Sequence, residues 1–111
     1  MVVIIFKLDN NGNNNTGEDV KVMFEFSDTS KTIKEMLVDF IKNNNSILKI
    51  ASNDISKFEN TLSTDLLVFM FKNKILNKDE NSKRPVKYFF KTNNNAVHVI
   101  DCGNILGGKK L

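Results

Sequence analysis

Residues 2–8 carry two apolar sets in strict alternation. Val2, Ile4, Phe6 and Leu8 fall on one face, and Val3, Ile5 and Lys7 on the other, the period of an extended strand. Residues 20–26 alternate more sharply, with Val20, Val22, Phe24 and Phe26 set against Lys21, Met23 and Glu25. Between them, residues 9–17 consist of Asp, Asn, Gly and Thr. That stretch is too long for a two-residue hairpin turn and suits a looser one. The pattern predicts an antiparallel hairpin with an aromatic-rich face that needs a cover.

The cover comes next. Thr32 and Glu35 have the spacing of a capping box, in which the hydroxyl accepts from the third helical N–H and the carboxylate reaches back. Ile33, Met36, Leu37, Phe40 and Ile41 then form a single apolar stripe, opposite Lys34, Glu35, Asp39 and Lys42. A helix over about 31–43 is predicted, with the stripe as core. Ile55, Phe58 and Leu62 suggest a short second helix near 53–60. Residues 66–71 read as a strand with Leu67, Phe69 and Phe71 on one face and Val68 and Met70 on the other. Asn73 turns the chain into a brief strand at 74–76. The charged residues 78–85 read as a loop, residues 86–90 as a strand or a tight helical turn, and residues 97–100 as a last strand. The helix leaves one sheet edge, so the first and last strands are expected to pair in parallel through a right-handed crossover. The fold class is α+β: one twisted, mixed sheet with a helix packed across one face.

Composition narrows the field without naming a chemistry. A chain of 111 residues with 41% hydrophobic and 26% charged residues has enough apolar material for one modest core. The net charge of +3 falls to +1 without Lys109 and Lys110, so no concentrated basic face argues for nucleic acid. No apolar run has the length of a membrane span, and residues 1–6 are too short for a signal-peptide core. With Cys102 as its single cysteine, the chain has no internal disulfide and suits a reducing, intracellular compartment. The runs of Asn at 10–11, 13–15, 43–45 and 93–95 serve as loop punctuation.

Catalysis by the chain itself is not expected. Cys102 and His98, the only histidine, are four residues apart. On an extended segment their side chains would stand about 13 Å apart, against the roughly 3 Å of a working dyad. They also supply too few ligands for zinc. What draws attention is Gly107 and Gly108, followed by residues 109–111. Residues 101–106 have little capacity for regular structure, so the pair is expected to be held away from the body of the domain, where main chain lacking Cβ atoms fits a channel too narrow for side chains, as an enzyme activating a carboxylate would need. A Gly-Gly turn leading into a linker is the plain alternative.

With these elements in order, the chain resembles the ubiquitin family, whose β-grasp fold has the same element order. The motifs are Ser27 and Asp28 through Thr32, Ile33 and Met36 at the strand-to-helix junction, and residues 69–76 as third strand, tight turn and short fourth strand. Residues 95–100, with His98 in the matching place, and the Gly107–Gly108 pair complete the set. The resemblance implies a ubiquitin-like domain over 1–108 and an extension, 109–111, that is propeptide-like or a cloning remnant. It implies a protein modifier and no enzyme. A processing protease frees the Gly108 carboxylate, an activating enzyme adenylates it with ATP, and a cysteine captures it as a thioester. A target lysine then takes it as an isopeptide. Activating and conjugating enzymes, the protease and target proteins are the implied partners of a monomer in cytoplasm and nucleus. No resident cofactor or metal is implied.

The resemblance also implies a partner-binding patch. Met70, His98 and Ile100 share an outward face if Phe69, Val97 and Val99 point inward, and Lys74 matches a chain-linkage lysine. Three departures stand out, one of them a first hairpin loop longer than in ubiquitin. Residues 44–64 lengthen a connection that is short in ubiquitin, and Asn104, Ile105 and Leu106 stand where ubiquitin has arginines flanking a leucine. Loss of a paired interfacial charge commonly costs about 2–5 kcal/mol, so the enzymes that serve ubiquitin should reject this tail. The alternatives are a ubiquitin-like binding module that is never conjugated, and a sulfur carrier activated as a C-terminal thiocarboxylate.

Overall fold

A computed structural model describes residues 2–9, 20–93 and 95–108. The alternating segments form β1 (Val2–Asp9) and β2 (Val20–Phe26), antiparallel, with Ile4 opposite Phe24 and Phe6 opposite Val22. The long hairpin turn expected between them lies largely outside the described residues. α1 (Ile33–Asn43) follows with the capping box in place. The Thr32 hydroxyl accepts from the Glu35 N–H at 3.2 Å, and a Glu35 carboxylate oxygen accepts from the Thr32 N–H at 3.0 Å. The Thr32 N–H, and then its hydroxyl, hold the Glu35 carboxyl below the usual carboxylate range. All five residues of the apolar stripe are buried.

The long connection carries two helices, α2 (Asn45–Leu48) and α3 (Ser52–Thr61). Asn45 pins the bend between them: its side chain accepts from Ile50 N–H at 2.8 Å and donates to Ile50 C=O at 3.2 Å. Leu48, Ile50, Phe58 and Leu62 are buried, so this connection extends the core and is no loose excursion. Next come β3 (Leu67–Phe71) and β4 (Lys74–Ile75). Lys72 and Asn73, which join them, both have positive φ, as a tight turn of type I′ demands.

Residues 78–85, expected as a loop, instead contain α4 (Asp79–Lys83), and the ambiguous segment after it is helical, α5 (Val86–Phe89). Long-range pairing orders both. The Asn81 amide donates to Ile75 C=O at 3.0 Å. Ile33 N–H donates to Arg84 C=O and Val86 N–H to Lys31 C=O. These bonds fasten the segment to the start of α1.

The last strand, β5 (Asn95–Asp101), runs parallel to β1 and antiparallel to β3. The five-stranded mixed sheet has the order β2-β1-β5-β3-β4, so β5 is interior and the edges are β2 and the two-residue β4. One sheet face is buried with α1. Phe6 stacks on Phe40 with centroids 3.8 Å apart, and Phe69 meets both rings edge-on. Phe58 of α3 reaches Phe69 at 5.8 Å. Edge-to-face and offset contacts of this kind add to the energy of burial.

Candidate interaction surface and C-terminal tail

Alternation in an interior strand forces half of its side chains away from the core. Phe69, Val97 and Val99 are at most 1% exposed, whereas Met70 and Ile100 are half-buried and His98 is exposed. The three residues expected to share an outward face therefore do. Met70 is directly paired with His98, and Ile100 with Val68.

Register extends the patch beyond what those three suggested. His98 lies beside Lys7, Lys7 opposite Lys21, and Met70 opposite Ile75. One row of outward residues thus crosses all five strands: Lys21, Lys7, His98, Met70, Ile75. At the ordinary strand spacing it is about 19 Å wide. It is cationic over β2 and β1 and apolar over β3 and β4. The adjoining row contributes Met23, Ile5 and Ala96, with Met23 66% exposed. None of these side chains belongs to the buried core or packs against it. Lys7, Lys21, Ile5, Met23 and Ile75 were not singled out from sequence. Their period marked the face, but only strand order sets them beside His98. Lys74 pairs with Phe71, one position out of step with Met70, so it is exposed but directed to the other side of the sheet.

The tail departs from expectation. Gly107 and Gly108 were read as held away from the domain after residues with little capacity for regular structure. Instead the chain turns back at the end of β5. The N–H groups of Cys102 and Gly103 donate to Leu66 C=O at 3.0 and 2.9 Å. The Asp101 carboxylate accepts from Ile105 N–H at 2.9 Å and Leu106 N–H at 3.0 Å, one on each oxygen. Ile105 is 1% exposed, within the same core cluster as Leu48 and Ile50, and Leu106 packs against that cluster. The 3-10 turn Leu106–Gly108 lies beside α2.

Gly107 itself is exposed and sits at φ 79°, a conformation in which a Cβ is strained. Gly107 thus has a backbone reason to be glycine, separate from any enzyme channel. The physical cause of docking is the Ile105–Leu106 pair, two large apolar residues for which burial is favourable. That pair was the available signal and was read only as missing arginines. Asp101 and Gly103 were missed outright. A Cβ at Gly103 would stand 3.1 Å from Leu66 Cα and 3.2 Å from Asp65 C=O.

Residues 109–111 lie outside the described residues. Among the described residues, no three His, Cys, Asp or Glu side chains are grouped to hold a metal ion, and no helix is long and apolar enough to cross a membrane. Comparison with family models, with curated proteins and with solved structures returns no match.

Proposed function

We propose that this chain is a ubiquitin-like β-grasp protein that works by being bound, through the open face of its sheet. The observation that carries this reading is the five-strand row from Lys21 to Ile75, with Met23 and Ile5 beside it, left outside the core. Contiguous apolar surface rimmed by polar groups marks interaction sites. The interior placement of β5 and the packing of α1 across the opposite face support the β-grasp assignment. Lysines along one side favour a partner that brings apolar residues to Met70 and carboxylates to Lys7 and Lys21. The test compares Met70→Glu with Tyr88→Glu, a control at an exposed residue on α5, outside the strands that make the patch. Partners captured by the unaltered chain should bind the Met70 variant at least about tenfold more weakly and the Tyr88 variant as before. Equal binding by both variants sinks the proposal.

A second reading, the conjugated modifier, is favoured by one observation: Gly107 stands exposed directly beyond the last anchored residue, Leu106. Here a protease cuts after Gly108, and the freed carboxylate passes through adenylate and thioester to a lysine amine. An N-terminally tagged copy should then give slower-migrating adducts in cells, all lost in Gly108→Ala. Adducts that persist in that variant exclude it. An added sulfur in the intact mass would instead identify the carrier alternative.

A further inference from the structure

Two of the places where this chain departs from a ubiquitin-like pattern, the 44–64 connection and the arginine-free tail, meet in space. The 3-10 turn Leu106–Gly108 lies beside α2, and Ile105 shares a core cluster with Leu48 and Ile50 of that connection. We propose that residues 101–106 form a latch, seated on the inserted helix and held shut by the Asp101 carboxylate, whose release is what makes Gly107 and Gly108 available to an enzyme. The release step rests on the modifier reading; the latch itself rests on geometry alone.

Geometry makes the step necessary. Two residues fully extended span at most about 7 Å, so from an anchored Leu106 the pair cannot enter a deep channel. Nor is the pair extended while docked: Gly107 is bent back at φ 79° and ψ 7°. A channel that accepts only bare, extended main chain therefore requires Gly107 to change conformation and Leu106 to leave its seat. The attachments that resist this are local. They include two N–H groups on Asp101, two on Leu66 C=O, and the burial of Ile105 with part of Leu106. None of them belongs to the β1–β5 or β3–β5 ladders, so the tail can detach while the sheet stays paired. Segments held this way open at lower free energy than the core.

Two substitutions unfasten the latch from different sides. Asp101→Ala removes both side-chain acceptors. Gly103→Ala sets a Cβ 3.1 Å from Leu66 Cα and 3.2 Å from Asp65 C=O, so the tail or that backbone must give by a few tenths of an ångström. Amide hydrogen exchange on the full chain reads the result. Exchange at Ile105 and Leu106 should rise about tenfold or more in either variant, with Val97 and Val99 in β5 unchanged. In cells, tagged copies of both variants should give more adducts than the parent, and adding Gly108→Ala should abolish them. Unchanged exchange at Ile105 and Leu106 overturns the latch. Faster exchange with an unchanged adduct yield overturns its role as a gate. If no chain gives adducts, the modifier reading and the gate both fall, while the exchange contrast still decides the latch.

Discussion

Phe40→Ala is expected to lower the stability of this domain by about 3–5 kcal/mol, towards the upper end of the range for large aromatic truncations. Phe40 is fully buried and serves as the hub of the core. It stacks on Phe6, meets Phe24 edge-on at 5.6 Å and meets Phe69 edge-on at 6.3 Å. Its neighbours come from three strands, β1, β2 and β3, and they cannot collapse into the space without disturbing the sheet. Small domains are stable by only about 5–15 kcal/mol, so the loss is a large share of the total. Urea titration should show a much lower midpoint with an unchanged slope. Phe40→Leu, which leaves a smaller void, should fall between the two. A stability loss under about 1 kcal/mol for the alanine variant would mean that the ring is not central to packing.

Asn77→Ala is expected to cost about 2–4 kcal/mol, from a residue that alternation and composition do not mark at all. Asn77 is 4% exposed, and its side chain makes three hydrogen bonds. Its carbonyl oxygen accepts from Phe69 N–H at 3.0 Å, and its amide donates to Leu67 C=O at 2.8 Å and Leu62 C=O at 3.2 Å. β4 pairs with β3 only at Met70 and Phe71, so the first half of β3 has no β-strand on that side. The Asn77 side chain supplies the missing partners and ties them to the end of α3. Alanine would strand these backbone groups in the interior, at about 1–3 kcal/mol for each left unsatisfied, reduced by whatever water enters.

Asn77→Asp adds a check with a definite sign. A carboxylate still accepts from Phe69 N–H but faces two carbonyl oxygens with no proton to donate. Its folded-state pKa should therefore be raised above the unfolded value. The variant's stability deficit should be smallest below the unfolded pKa and grow as pH rises through the folded one. Thermal melts of the Asp and Ala variants across that interval would show it. A pH-independent difference would mean that the side chain is not enclosed by those carbonyls. Because Asn77 steadies β3 opposite β5, both substitutions should also loosen the Met70–His98 pairing on which the open face depends.

Several features were legible from the residues alone, each carried by a local period. Alternation in residues 2–8 and 20–26 assigned every inward side chain of β1 and nearly all of β2, and only Val20 at the strand's start is exposed. The Thr32–Glu35 spacing marked the capping box, and the expected start near 31 fell two residues before the observed Ile33. The same reasoning put Met70, His98 and Ile100 on one outward face. It read 78–85 as a loop, because a charged stretch with no apolar stripe carries no helical period. Contacts with Lys31, Ile33 and Ile75 ordered that segment, and none of them is near it in sequence except the last.

What the residues determined by themselves is which atoms prefer water, how often that preference repeats, and where the backbone is free to turn. Those properties belong to a few consecutive positions, and they specified the strands, the main helix and the α+β class. Tertiary structure alone decided the register in which those strands meet, and so which lysines stand beside His98 and Met70. It also decided that Ile105 and Leu106 fill a seat next to α2, holding the diglycine against the domain. Both outcomes depend on surface left uncovered by elements distant along the chain, and no local period encodes that.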